Sequence, residues 1–211
     1  MTASVWMVDG RQEVGYGVAL VDAHASGVSR QPAWYNTVLA GAESDAVILK
    51  GVRIRGYEIL RPEAALGSES AVLQVVGMNW FLVMITAAYV GMACQLVSEL
   101  VAGKYANDRP ANHTPGRLAA SVRGCGVLIE SLAAELDSAS VEPAHMQQRL
   151  LDARAAVESV LKVLGAETPD CMNGAQFIGT SRLSYLREAI SGLTFHPPSR
   201  DERFVSGGME I

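Results

Sequence analysis

A chain of 211 residues with 49% hydrophobic and 18% charged side chains has the material for one large or two small folded domains, which excludes a disordered or low-complexity protein. Its net charge of −5, with no cluster of lysine and arginine, speaks against a nucleic-acid partner or an anionic membrane surface. Cys94, Cys125 and Cys171 are widely spaced, and the first two sit among apolar residues at helical spacing. That predicts reduced, buried thiols and, with an N-terminus lacking a signal-peptide pattern, a cytoplasmic protein.

From Val5 to about Leu60, short β-type runs are punctuated by glycine: VWMV, YGVALVD, DAVILK and VRIRGYEI. They predict the strands of one small antiparallel sheet. Val52 and Ile54 alternate with Arg53 and Arg55, the pattern of a strand with one wet face. Ala46 to Leu49 is apolar on both faces, the pattern of a central strand. Four short strands do not close on themselves, so this half needs a second layer.

Residues 70–98 carry no charge between Glu69 and Glu99. Such a run is either a membrane span or the most buried helix of a bundle. Gln74, Asn79 and Gln95 within it, acidic residues at both ends and only Lys104 and Arg109 as nearby cations favour the bundle. This helix is expected to reach about Ala106 and to be enclosed on every side, Met84 included.

Thr114 as N-cap and Pro115 at the first helical position open a second helix. Its Leu118, Val122, Cys125, Ile129, Leu132 and Leu136 recur by threes and fours. Pro143 opens a third, with Met146, Leu150, Ala153, Val157, Val160 and Leu164 in register and Gly165 as its stop. A fourth, over about 181–193, places Leu183, Leu186, Ile190 and Leu193 on one face before Pro197-Pro198 ends it. The predicted fold class is α+β, a short antiparallel β segment followed by a four-helix bundle. The expected domains are a partial β domain at 1–64, the bundle at 65–199 and a flexible tail at 200–211.

The motifs for chemistry are sparse. His24, His113, His145 and His196 share no ligand spacing with each other or with the cysteines, so no metal site is predicted. Ser159-Val160-Leu161-Lys162 matches S-x-x-K but lacks the companion motifs and lies in an amphipathic helix. Gly124-Cys125-Gly126 in mid-helix suits close helix packing rather than phosphate binding.

Several short segments are informative through their order. They are Ala25-Ser26-Gly27-Val28-Ser29 with Trp34, Ser44 through Leu49 with Val52, Lys104-Tyr105-Ala106 with Arg109, Asn173-Gly174-Ala175-Gln176-Phe177, and Arg187-Glu188. Together with the element order they resemble the back two-thirds of an acyl-CoA dehydrogenase, over about Val5 to Arg200. The resemblance implies a flavoprotein oxidoreductase with FAD, in which Arg109, Asn173 and Gly174 contact the cofactor. It departs from the family pattern at Asn112-His113, where Phe-Gly is usual, and at Ala120, where a Gln is usual.

The family's α-proton base is commonly a Glu nine residues after the Arg of Arg-Asp, and His196 occupies that position. The other known base location corresponds here to Trp80-Phe81-Leu82. His196 is therefore the candidate base, with an unperturbed imidazole pKa near 6.5. As the other reading, Phe195-His196-Pro197-Pro198 is a helix stop in which His196 contacts the last carbonyls.

The family's N-terminal helical domain and the opening half of its β domain have no counterpart in this sequence. The implied function is flavin-dependent oxidation of an acyl thioester, on coenzyme A or a carrier protein, together with a longer homologous subunit, each contributing part of the site, with the FAD held by this chain or shared between the two. An oligomer through the bundle helices, with that subunit or with itself, follows. A non-catalytic scaffold of the same fold and a membrane-associated helical protein are the alternatives.

Overall fold

The computed structural model describes residues 1–9, 12–42, 44–60, 67–102, 113–172, 178 and 182–198. The chain divides into two compact units, Met1–Gln74 and Val75–Ile211. The expected tail at 200–211 lies outside the described residues.

In the first unit, β1 (Thr2–Asp9) pairs antiparallel with β2 (Gln12–Leu20). The register shifts between Met7 and Val8, opposite Gly15. Gly15 has φ +140°, a conformation that side-chain-bearing residues rarely adopt, so the bulge falls where the sequence tolerates it. The strands β3 (Val28–Gln31) and β4 (Ala46–Leu49) form a separate antiparallel pair, and β5 (Ile59–Leu60) adds to β2, giving the order β1-β2-β5 in the first sheet. Gly27 closes the β3–β4 pair: at φ +93° its carbonyl accepts from the Lys50 amide at 2.9 Å, and a Cβ there would meet the Lys50 carbonyl oxygen at 2.2 Å.

The strands form two sheets rather than one, and VRIRGYEI contributes only its last residue, Ile59, to a strand, which Leu60 completes. The Arg55 amide donates to the Glu58 carboxylate at 2.8 Å and the Glu58 amide to the Arg55 carbonyl at 2.9 Å, a local turn that diverts the backbone from a ladder. Arg53 and Arg55 still point to solvent, with Val52 and Ile54 half-buried, so the alternation persists without the pairing. Ala46 to Leu49 is not a central strand: among the described residues it pairs only with β3, and Val47 and Ile48 are exposed.

The helices are α1 (Gly67–Ala102), α2 (Thr114–Asp137), α3 (Pro143–Glu167) and α4 (Arg182–Ala189), the last continued by a 3-10 segment, Ile190–Phe195. Apolar periodicity explains them. Leu118, Val122, Cys125, Ile129 and Leu132 of α2 face the core, as do Met146, Leu150, Ala153, Val157 and Leu164 of α3 and Leu183, Leu186, Ile190 and Leu193 of the last element. The Glu142 carboxylate accepts from the Ala144 and His145 amides at 3.0 and 2.8 Å, which caps α3. His113 rather than Thr114 precedes α2, and α3 runs past Gly165 to Glu167.

The long helix is not enclosed on every side by the described residues. Met84 is 61% exposed, and with Gly77, Trp80, Ala88, Gly91, Cys94, Ser98 and Val101 it forms an open stripe at steps of three and four. Cys94 is exposed rather than buried, while Cys125 is buried as expected. Leu82, Ala93 and Leu96 on other faces are fully packed. The physical reason is geometric, since α2, α3 and α4 cover one side of a helix that is apolar all round. By length and composition the segment Val75–Val101 is long and apolar enough to cross a bilayer, and 44% of its most apolar window is buried.

Candidate functional site

His196 stands where the last 3-10 turn stops. Its amide donates to the Leu193 carbonyl at 3.3 Å, and its own backbone is extended, φ −77° and ψ 146°, the conformation that a following proline favours. The imidazole lies against α1. Its Nε2 is 2.9 Å from the Tyr89 hydroxyl, and its ring meets the Tyr89 and Phe81 rings edge-on at centroid distances of 5.5 and 6.5 Å. Phe81 and Tyr89 are eight residues apart on α1, close to two turns plus one residue, so both side chains reach the same ring.

Behind this residue lies Arg154 of α3, whose side chain is fully buried. Its guanidinium donates to three carbonyls of the terminal segment: Leu193 at 2.8 Å, His196 at 2.7 Å and Pro197 at 2.8 Å. Its Nε donates to the Glu158 carboxylate at 3.1 Å, one turn along α3. The last carbonyls are thus met by Arg154, while the His196 ring is directed to Tyr89.

Burial, and secondarily the Arg154 charge, push the His196 imidazole below its ordinary value of 6.5, so it is neutral at pH 7. Burial raises the Tyr89 phenol against the opposing pull of Arg154, so the phenol keeps its proton. The Tyr89 hydroxyl and Nε2 share this hydrogen bond, in which the protonated phenol donates or accepts according to the imidazole tautomer. In the tautomer with its hydrogen on Nε2, that N–H donates to the Tyr89 oxygen and the Nδ1 lone pair is the proton acceptor.

A stability consequence follows. The unfolded chain takes up the His196 proton near pH 6.5 and the folded chain only at lower pH, so acidification through that window favours unfolding. The melting temperature is expected to fall as pH drops below about 6.5, and His196→Gln to flatten that slope. A second loss is expected below the ordinary Glu value of 4.5, because Arg149 holds the Glu135 carboxylate down and the α3 amides hold Glu142 down. Calorimetry across pH 3 to 8 reads both; a slope between pH 5 and 6.5 identical in His196→Gln would contradict the assignment.

Of the candidate catalytic and cofactor-binding residues, His196 is among those described, and Arg109, Asn173 and Gly174 lie outside them. Trp34 is half-exposed and its indole N–H donates to the Val38 carbonyl at 3.0 Å. Arg187 donates to the Gly165 carbonyl at 2.9 Å and ties α4 to α3. Sequence reasoning missed Tyr89 and Arg154. Arg154 left a signal: it falls in the apolar stripe of α3, between Leu150 and Val157, where a charge has no place unless it is paired.

No family model matches the chain. Isobutylamine N-hydroxylase of Streptomyces viridifaciens is 33% identical over 219 residues, which takes in 100% of this chain and 56% of that enzyme. Among solved structures, dibenzothiophene monooxygenase of a Paenibacillus species superposes with a TM-score of 0.75 at 16% identity, covering 97% of this chain and 58% of the other. A further structure of that enzyme contains FMN and indole. Butyryl-CoA dehydrogenase of Megasphaera elsdenii superposes with a TM-score of 0.73 at 11% identity, covering 100% and 56%. The chain spans about half the length of these relatives. Helices, strands and coverage agree with the earlier resemblance: this chain carries a partial acyl-CoA dehydrogenase-like fold.

Proposed function

We propose that this chain supplies the helical-bundle side of the site of a flavin-dependent monooxygenase that hydroxylates the nitrogen of a small primary amine. The observation that carries this reading is the 33% identity to isobutylamine N-hydroxylase along the entire chain. The reaction converts amine, dioxygen, two electrons and two protons into hydroxylamine and water, the electrons coming from a reduced nicotinamide through the flavin. A bound flavin supplies the oxygen activation. Arg109, Asn173 and Gly174 are the residues we assign to hold it. Tyr89 is buried, and His196 and Phe81 are half-buried beside the Arg154 guanidinium; FMN and FAD are the candidate cofactors.

The role of His196 follows from its chemistry. An alkylammonium has no free lone pair to oxidise, and a neutral imidazole takes up its proton and leaves the nitrogen able to react. A partner, either a longer homologous chain or a second copy of this one, packs on the uncharged α1 stripe. We place the assembly, soluble, in the cytoplasm.

A second reading is favoured by the likeness to butyryl-CoA dehydrogenase. In it the flavin accepts hydride from an acyl thioester, and His196 removes the α-proton where the family commonly uses a Glu.

The test is to co-express the chain with a longer homologue and supply flavin, a flavin reductase, reduced nicotinamide, oxygen and isobutylamine. Mass spectrometry should detect an alkylhydroxylamine that requires both flavin and amine. Turnover of butyryl-CoA with an artificial acceptor, and none of the amine, would establish the second reading. A colourless inert oligomer would indicate a scaffold, and recovery only in detergent a membrane protein.

A further inference from the structure

The segment that carries His196 lacks the usual means of holding itself in place. Pro197 and Pro198 have no amide hydrogen, so neither can donate to a ladder or a helix, and the residues around them offer mainly carbonyls. A group with several donors in a fixed fork is the natural counterpart of a cluster of carbonyls. Arg154 is that group, with the Leu193, His196 and Pro197 carbonyls within 2.7 to 2.8 Å of its terminal nitrogens and Glu158 as its counter-ion.

Keeping a guanidinium this deep is not the economical way to fill a core. Taking it out of water costs several kcal/mol, and a packed apolar side chain of similar volume often serves stability as well or better. What an apolar side chain cannot do is fix three carbonyls in one arrangement. His196 is held at both ends, its backbone by Arg154 and its ring by Tyr89.

We propose that Arg154 is a positioning residue: its three-carbonyl clasp fixes the 193–197 backbone so that the His196 imidazole stays against Tyr89 in the orientation used for proton transfer. The catalytic part of this proposal rests on the reading of His196 given above, whereas the positioning part is independent of it.

The groups facing the imidazole are Tyr89 from α1 and Arg154, with its partner Glu158, from α3. Removal of Arg154 takes a positive charge from beside His196 and admits water to the segment. Both changes raise the imidazole pKa.

The experiment is NMR of the full chain labelled at its histidine rings, with His196→Gln identifying the resonance. Arg154→Met is expected to remain folded by circular dichroism, with the His196 signals displaced and their titration midpoint raised toward the ordinary value near 6.5. Arg154→Lys keeps the charge but cannot span three carbonyls, so it should displace the signals with a smaller rise in midpoint. Should Arg154→Met fail to fold, Arg154→Lys decides alone. His196 signals and midpoint unchanged in a folded Arg154 variant would overturn the proposal.

In the assembled system kcat should fall by up to about 100-fold in Arg154→Lys with a smaller change in KM, as expected for a misplaced group. If the signals move while neither Arg154→Lys nor His196→Gln alters turnover, the clasp stands as structural and its role in proton transfer is refuted along with the assignment of His196.

Discussion

Leu96→Asp is expected to unfold the helical unit, while Met84→Asp is expected to leave it folded and to dissociate the assembly. Both residues are apolar and lie on α1, and they differ in exposure: Leu96 is 0% and Met84 61% exposed. A carboxylate forced into the Leu96 site has no partner and costs several kcal/mol, a large share of the roughly 5–15 kcal/mol that stabilises an ordinary domain. At Met84 the carboxylate stays hydrated, and a change of helix propensity costs only tenths of a kcal/mol. What Met84→Asp loses is the uncharged stripe from Gly77 to Val101, because a partner seated there would desolvate the charge. An interface of this kind should bury more than about 2,000 Å² in total. Thermal melts with light scattering check both outcomes. A normal cooperative melt for Leu96→Asp would remove that residue from the core, and an unchanged particle mass for Met84→Asp would remove the stripe from the interface.

The same pair shows what a sequence read alone can and cannot decide. Periodicity placed the core faces of α2, α3 and α4 because helical neighbours are three and four residues apart, so local spacing carries the information. Residues 70–98 have no polar face, and a helix without one gives no indication of which side its own chain leaves open. Met84 and Cys94 were expected inside for that reason. The division of the strands into two sheets was illegible for a different reason: pairing β2 with β5 and β3 with β4 depends on long-range closure that no short run encodes. At the site, His196 was found through the resemblance, and its extended backbone follows from Pro197. Its companions were not found, since Tyr89 is 107 positions away and Arg154 is 42 positions away.

His196→Ala is expected to lower turnover of the assembled enzyme by about two to four orders of magnitude, the usual contribution of a positioned general base. Loss of a helix stop would act differently. The His196 amide bond to Leu193 and the Arg154 clasp involve backbone atoms that alanine retains, so the loss of stability should be confined to the ring's bond to Tyr89 and its packing, about 1–3 kcal/mol, while rate changes greatly. The pH profile sharpens the distinction. Only the neutral imidazole accepts a proton, so kcat/KM of the parent should fall on the acid side with a midpoint below 6.5, in keeping with burial and the Arg154 charge. His196→Ala should show a low rate without that acid limb. Tyr89→Phe removes the hydroxyl bonded to Nε2 and should leave the limb in place with a moved midpoint. Steady-state kinetics from pH 5 to 8, set beside melting temperatures of the same variants, separates the roles. If His196→Ala turns over at the parental rate but melts well below the parent, the residue is a structural stop and the proton acceptor lies elsewhere.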